Sequence, residues 1–461
     1  GYTRPLSMAK QKGWPLVITG KNGAKAVLVG VDAFNYPKYY ITNNNTIAAA
    51  TTRANQLWPG GASGLNLSGS SDYLANKMGI WDGGRPLDAH VELTGRIVQK
   101  EAATVAYDDH ATHTTGTLMA SGVNPYAKGM SFGLKSIIAY DFKNDISEMA
   151  LEAPGLLISN HSYSIIAGWN YNDTKSRWEF YGRPNENRDY KFGYYSIDAQ
   201  ALDSITYYAP NYLIVKSAGN NRTSNGPPVD SPYYRYDASN QMVLAGKRPA
   251  GISNNDSYGS IPWDCNAKNI LTIGAVQGLP NGYSRPSDVV MASFSSWGPS
   301  DDGRIKPDLV ADGINVLSSI ATSNNSYASY SGTSMASPNA AGSLFLLQEY
   351  YSKLKSSSTA FMRSATLKGL AIHTAEAAGT NPGPNYMFGW GLLNVEKAAA
   401  VMTAAIGSNN ATTSKHLLYE NSLDNNSSSS FTIPVVSSGN GPIKATISWT
   451  DVPGPIETVM S

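Results

Sequence analysis

The sequence predicts an α/β protein built on a parallel sheet, with a short β region before it and a small β domain after it. Three observations carry this. From about residue 76, short apolar runs alternate with segments of helical spacing. Polar residues (Asp82, Asn160 and Asn220) stand at or just past the ends of those runs, where open α/β sheets bind ligands. Gly332-Thr333-Ser334-Met335-Ala336-Ser337-Pro338 leads into Ala340 to Leu347, an apolar run that reads as a helix buried on nearly every side.

Bulk properties bound the rest. A chain of 461 residues should hold two or three domains. The balance of 35 Lys+Arg against 34 Asp+Glu offers no electrostatic case for nucleic acid or an anionic membrane surface. No apolar run approaches the ~18 residues that span a bilayer. Tyr, Asn, Ser and Gly dominate over Lys and Glu, which suits a secreted protein. A single cysteine, Cys265, excludes internal disulfides and reads as a packed thiol. No signal peptide stands at Gly1, so the start reads as a processed or trimmed chain.

In chain order, residues 1–75 read as a separate region. Ala26 to Gly30 and Tyr39 to Thr42 suggest a pair of short strands, punctuated by Asn43-Asn44-Asn45. The expected sheet strands are Met78 to Trp81, Ser136 to Tyr140, Gly155 to Ser159, Tyr212 to Lys216 and Ile270 to Gly274, with Asp198 to Ala209 as a crossover helix. Trp169 to Asp189 and Asn221 to Arg248 read as surface insertions. After Ala404 the text turns Ser/Asn-rich, and Phe431-Thr432-Ile433 and Ile443 to Trp449 suggest strands of an incomplete β domain, 404–461, from a longer protein.

The chemistry centres on Ser334. At the start of a core helix, free N–H groups and the positive dipole end favour developing negative charge, and Pro338 is compatible with a first helical turn. In isolation a capping hydroxyl is the ordinary explanation. Other residues change that. His110, in His110-Ala111-Thr112-His113, offers an imidazole able to take and return a proton near neutral pH. Asp82 could fix its tautomer. Asn220, in Ala218-Gly219-Asn220, could donate to a tetrahedral oxyanion. Two histidines three apart do not make a zinc site without further ligands, and His113 reads as support for the helix. Thr333 is open to either an oxyanion or a helix-start role. Met335 follows the serine directly, so its sulfur should lie near the oxyanion and its oxidation should lower activity.

These stretches together resemble the subtilisin-like serine peptidases, the subtilases. The order Asp82, His110, Ser334 is the family's, and the Ser signature at 332–338 is unchanged. The His signature at 110–117 has Ala111 where the family usually has Gly. The Asp block reads Asp82-Gly83-Gly84 in place of Asp-(Ser/Thr)-Gly, keeping the acid and losing a hydroxyl. Asn160-His161-Ser162-Tyr163-Ser164 resembles the strand lining the family's substrate cleft, and His90-Val91-Glu92-Leu93 resembles its His-Pro-Asp-Leu. Phe294 to Pro299 and Arg304 to Asp308 also look like family text, with Ala311-Asp312-Gly313 replacing a usual Ala-Pro-Gly.

The resemblance covers roughly 76–403 and implies a catalytic domain with helices on both faces of its sheet. It is followed by a sandwich or jelly-roll-like domain, as in large bacterial subtilases. It implies an endopeptidase with Asp82, His110 and Ser334 as triad and Asn220 at the oxyanion. Ser162, Tyr163, Ser164 and Gly219 would bind substrate. Protein or peptide substrates, no cofactor for the chemistry, a monomer and a secreted, bacterial setting follow. Structural calcium is an open expectation, with Glu92 at a place where an acidic ligand can stand. Residues 1–75 would be a retained β extension or a prosegment remnant. The cleft text shows no acidic residue, so broad or apolar preference is the default. Because Ala111 and Gly83 depart from the signatures, the alternative is a catalytically inactive binding protein on the same scaffold.

Overall fold

The structure, a computed structural model, describes residues 3–19, 25–31, 37–42, 44–380, 383–407, 416–423, 428, 430, 432 and 443–456. The chain begins with α1 (Thr3–Lys12), β1 (Val17–Thr19), β2 (Lys25–Val31), β3 (Pro37–Thr42) and α2 (Asn45–Thr51). There follow β4 (Met78–Asp82), β5 (Ile97–Gln99), α3 (Asp109–Met119), β6 (Ile137–Asp141), α4 (Asp145–Glu152) and β7 (Ile158–His161). Next come β8 (Trp169–Asn172), β9 (Arg177–Phe180), α5 (Ile197–Tyr208), β10 (Leu213–Ser217), β11 (Pro232–Tyr236), β12 (Met242–Lys247) and β13 (Leu271–Val276). The last elements are β14 (Leu309–Asp312), β15 (Val316–Ser319), β16 (Tyr327–Tyr330), α6 (Thr333–Leu354), α7 (Ser364–Thr374) and α8 (Val395–Gly407).

All five expected core strands enter one seven-stranded sheet in the order β14-β13-β10-β7-β4-β6-β5, with parallel ladders throughout. β4, β6 and β10 are buried at every position, as strands covered on both faces must be. One face carries Ile80, Leu213, Val215 and Ile273 against Leu344, Phe345 and Leu347 of α6. The other packs Trp81, Ile138 and Ile214 against Met149 of α4 and Leu202 of α5. Each fully buried Leu or Ile stabilises by roughly 1.5–3 kcal/mol. Gly342 lets α6 approach α3 closely: a Cβ there would stand 2.9 Å from the Leu118 carbonyl oxygen.

Several expectations change. β7 begins at Ile158, because Gly155 lies in the turn after α4. Pro338 is inside α6 and not in its first turn, so the Ser334 carbonyl four residues back receives no helical N–H. The two surface insertions form a second sheet, β12-β11-β9-β8, closed around Trp169, Phe180, Tyr233 and Ile252. Antiparallel β2 and β3 are joined by β1. Residues 44–75 do not stay with that N-terminal sheet. Ala48, Leu57, Leu67 and Leu74 enter the central core, and Asn45 Nδ2 donates to the carbonyls of Thr117 and Lys128 at 3.1 and 2.8 Å. Residues 44–75 therefore pack with the central sheet.

Among the described residues no strand follows α8. Ile443 to Trp449 runs without ladder partners, and Phe431 and Ile433 lie outside the described residues. The segment 443–456 docks by polar contacts. Lys268 Nζ meets Asp451 Oδ2 at 2.6 Å, and Gln200 Nε2 donates to the Gly454 carbonyl at 2.8 Å. Cys265 is buried and free, and burial pushes its thiol pKa up. No described helix is long and apolar enough to cross a membrane.

Candidate active site

Asp82 is the last residue of β4, and His110 stands in the first turn of α3, which faces it. Asp108 sets that turn: as N-cap, its side chain accepts the Ala111 N–H at 2.7 Å. The turn brings His110 Nδ1 within 2.7 Å of Asp82 Oδ1. The Gly83 N–H also donates to Oδ1 at 2.7 Å, and the Thr114 hydroxyl lies 3.0 Å from Oδ2. Asp82 is buried, whereas the His110 side chain is 36% exposed. Burial works to lower the His110 pKa, but the charge and hydrogen bond of Asp82, with Asp108 nearby, outweigh it and raise the value.

His113 behaves oppositely. Its Nε2 lies 2.9 Å from the Val316 carbonyl and 3.1 Å from that of Ala328, and its ring stacks on Tyr330. Burial lowers its pKa to about 3, so it stays neutral and holds α3 to the hairpin of β15 and β16.

Ser334 is the second residue of α6. Its Oγ donates to the Ser162 carbonyl at 3.0 Å, and Ser162 Oγ donates back to the Ser334 carbonyl at 2.9 Å. That carbonyl is the one Pro338 leaves without a helical donor. Asn160 Nδ2 steadies Ser162 Oγ at 3.0 Å, and Ser337 donates to Asn160 Oδ1 at 2.7 Å. The Asn220 side chain turns its Oδ1 to the Thr333 N–H and hydroxyl, both at 2.8 Å. Its Nδ2 then faces the turn before Ser334: a Cβ on Gly332 would lie 3.4 Å from Asn220 Nδ2, 3.6 Å from Ser334 N and 3.7 Å from Met335 Sδ. Two N–H donors and the methionine sulfur thus border one small space that glycine keeps open. Thr333 Oγ1 also accepts the Gly219 N–H at 3.2 Å, so this hydroxyl ties Asn220 and Gly219 together.

The expected substrate residues divide. Ser162 touches Ser334 directly. Both backbone groups of Gly219 are engaged within the protein, the N–H by Thr333 and the carbonyl by Ser296 N–H at 2.9 Å. Its φ of +98° requires glycine. Tyr163 and Ser164 line a cavity of about 290 Å³ on the α4/α5 side, together with Asp145, Asp198, Lys216 and Asp264. Lys216 Nζ lies 3.1 Å from Asp264 Oδ2 and donates to the Tyr163 carbonyl at 2.8 Å. The acidic residues absent from the cleft text therefore arrive from other parts of the chain.

Glu92 does not fit a calcium ligand. Its carboxylate accepts the N–H groups of Gly122, Val123 and Asn124 and the hydroxyls of Ser121 and Tyr327, at 2.7–3.1 Å. Five donors satisfy an anion and turn their hydrogens toward any incoming cation. Burial acts to raise its pKa, but these bonds lower it overall. Asp82, Asp108 and His110 could bring ligand atoms within 4.8 Å of one another. His110 Nδ1 already serves Asp82, and Asp108 caps α3.

Thr114 and Asp108 escaped the reading of the sequence. Thr114 lies one turn after His110 on the same helix face, a spacing hidden among Thr112, Thr115 and Thr117. Asp108 carried the N-cap signal, an acid just before a helical run.

The model of the subtilase family matches residues 93–391. That span includes His110, Asn220 and Ser334 but stops short of Asp82, whose place here rests on its hydrogen bond to His110. The C5a peptidase of Streptococcus pyogenes serotype M3 is 34% identical over 156 residues, 33% of this chain and 13% of that protein. A Dictyostelium discoideum protein described as a serine protease/ABC transporter B family protein, tagD, is 25% identical over 350 residues, 57% of this chain and 19% of its own. The match thus spans about an eighth of the C5a peptidase. The solved CspB protease of Clostridium perfringens shares the fold, with a TM-score of 0.52 and 14% identity over 76% of this chain and 97% of its own.

Proposed function

Because the chain belongs to the subtilase family, we propose that it is a serine endopeptidase, with Asp82, His110 and Ser334 as triad and Asn220 as oxyanion donor. The observation that carries the proposal is the 2.7 Å bond from His110 Nδ1 to Asp82, which leaves Nε2 as the ring nitrogen able to act as base. Ser334 Oγ leaves the Ser162 carbonyl by rotating about χ1, gives its proton to Nε2 and attacks the scissile carbonyl. The oxyanion enters the space beside Gly332, within reach of Asn220 Nδ2 and Ser334 N. His110 then protonates the leaving amine, and water repeats the sequence on the acyl-enzyme. The Ser162 carbonyl, once released, is an acceptor for a substrate N–H.

Protein or peptide chains are the proposed substrates of a secreted, bacterial, monomeric enzyme. No cofactor is needed for this chemistry. Structural calcium stays part of the proposal, at a place other than Glu92. The catalytic domain is proposed to run from Asn44 to about residue 403. Residues before it are a retained β extension or a prosegment remnant, and the residues after α8 belong to a further β domain. A fluorophosphonate probe tests the chemistry: the intact chain should be labelled at Ser334, and the label should vanish in Ser334→Ala. Folded protein that takes no label would favour the inactive binding protein. Cleavage-site profiling on a peptide library then decides between broad or apolar preference and a basic preference set by the cavity carboxylates.

A further inference from the structure

The residue after the triad acid is Gly83, where the family resemblance leads one to expect a hydroxyl. Gly83 supplies only its N–H, 2.7 Å from Asp82 Oδ1, the oxygen that also faces His110. The other oxygen, Oδ2, meets the Thr114 hydroxyl at 3.0 Å. That hydroxyl also lies 3.1 Å from the Ala111 carbonyl, but it has one proton to give, and an ionised carboxylate is the stronger acceptor. Thr114 and Asp82 are both buried, so water does not compete for this bond. His110 and Thr114 are four apart on α3 and share a face. One helix therefore grips both carboxylate oxygens, His110 on Oδ1 and Thr114 on Oδ2.

We infer that Thr114 is a positioning residue, whose hydroxyl replaces the one lost at Gly83 and fixes the plane of the Asp82 carboxylate against His110. This rests on the triad reading above. The exchange is sterically reversible: a Cβ at Gly83 would meet nothing nearer than Phe142 Cε1 at 3.5 Å, an ordinary contact, so serine fits there.

The test is a rescue series in the intact chain, read as kcat and KM on a peptide substrate with melting temperatures alongside. Thr114→Val keeps the shape and loses the donor; kcat should fall about tenfold or more, with KM little changed. Thr114→Ser should keep kcat near the parent. Gly83→Ser combined with Thr114→Val should recover most of the kcat lost in Thr114→Val, with Gly83→Ser alone as the reference. Thr114→Ala serves the same comparison if the valine is not accommodated. Parent-like kcat in both Thr114→Val and Thr114→Ala, or a loss that Gly83→Ser does not repair, overturns the inference. Asp82→Asn separates this from the triad reading. If it collapses activity while Thr114→Val does not, only Thr114 is misassigned; if it remains active, the triad reading falls.

Discussion

Two halves of the proposed site are held in different ways. Asp82 and His110 are already joined at 2.7 Å, with the acid gripped by Gly83 and Thr114 and the base set on a capped helix turn. Ser334 is instead clasped to Ser162 by two reciprocal hydrogen bonds, and its hydroxyl points at a carbonyl. Orienting an acid and a base costs nothing at the moment of reaction if packing has done it beforehand. As the proposed nucleophile, Ser334 would turn its hydroxyl away from that carbonyl, and a serine side chain has one torsion, χ1, with which to do so. The difference has a local cause: Pro338 strips the Ser334 carbonyl of its helical donor, and Ser162 supplies the replacement. On the proposed roles, rigidity is concentrated where proton affinity is tuned, and a single rotation is kept for the nucleophile.

Replacements should sort along that division. Ser334→Ala removes the moving atom, and kcat should fall by about 10⁶, the size measured for the corresponding loss in subtilisin; turnover at the parent rate would place the nucleophile elsewhere. Asp82→Asn leaves the shape but presents the wrong partner to His110, for an expected loss on the order of 10⁴ in kcat. Asn220→Ala acts only on the oxyanion space, so kcat should drop by about 10²–10³ while fluorophosphonate still labels Ser334. Equal losses in kcat and labelling would mean instead that the Thr333–Asn220 contacts hold the nucleophile turn together.

Asp108→Asn is the mildest and the sharpest. Asparagine also caps helices, so α3 should stay in place while one negative charge near His110 is lost. Asp108 helps to raise the His110 pKa; without it the imidazole becomes neutral at lower pH. The acid limb of kcat/KM should therefore move to lower pH at an unchanged plateau. An acid limb that stays put would show that Asp82 alone sets the base. His113, neutral down to a pKa of about 3, should add no limb of its own between pH 5 and 9.

Five core strands and the crossover helix were legible before any coordinates, because each is written in a short window. A buried parallel strand is an unbroken apolar run, and a helix start such as that of α5 carries its own capping hydroxyl. Where two signals share a window, reading fails. The sheet formed by β8, β9, β11 and β12 was hidden because its strands are rich in Asn, Tyr and Arg, and they become strands only by pairing with one another. The place of residues 44–75 was missed because α2 packs on α6, β14 and β15, elements far along the chain that no short window contains.

By itself, then, the sequence determined the chemistry available: an acid, an imidazole, a serine at a helix start and an amide, in a fixed order along a parallel α/β chain. The tertiary structure decided which of these groups touch and what else they touch. Thr114 on the second oxygen of Asp82, Ser162 clasping Ser334, five donors around Glu92 and three carboxylates beside Lys216 are all contacts across long loops. Hydrogen bonds act over about 3 Å, and only packing of the whole chain brings residues so distant in sequence that close.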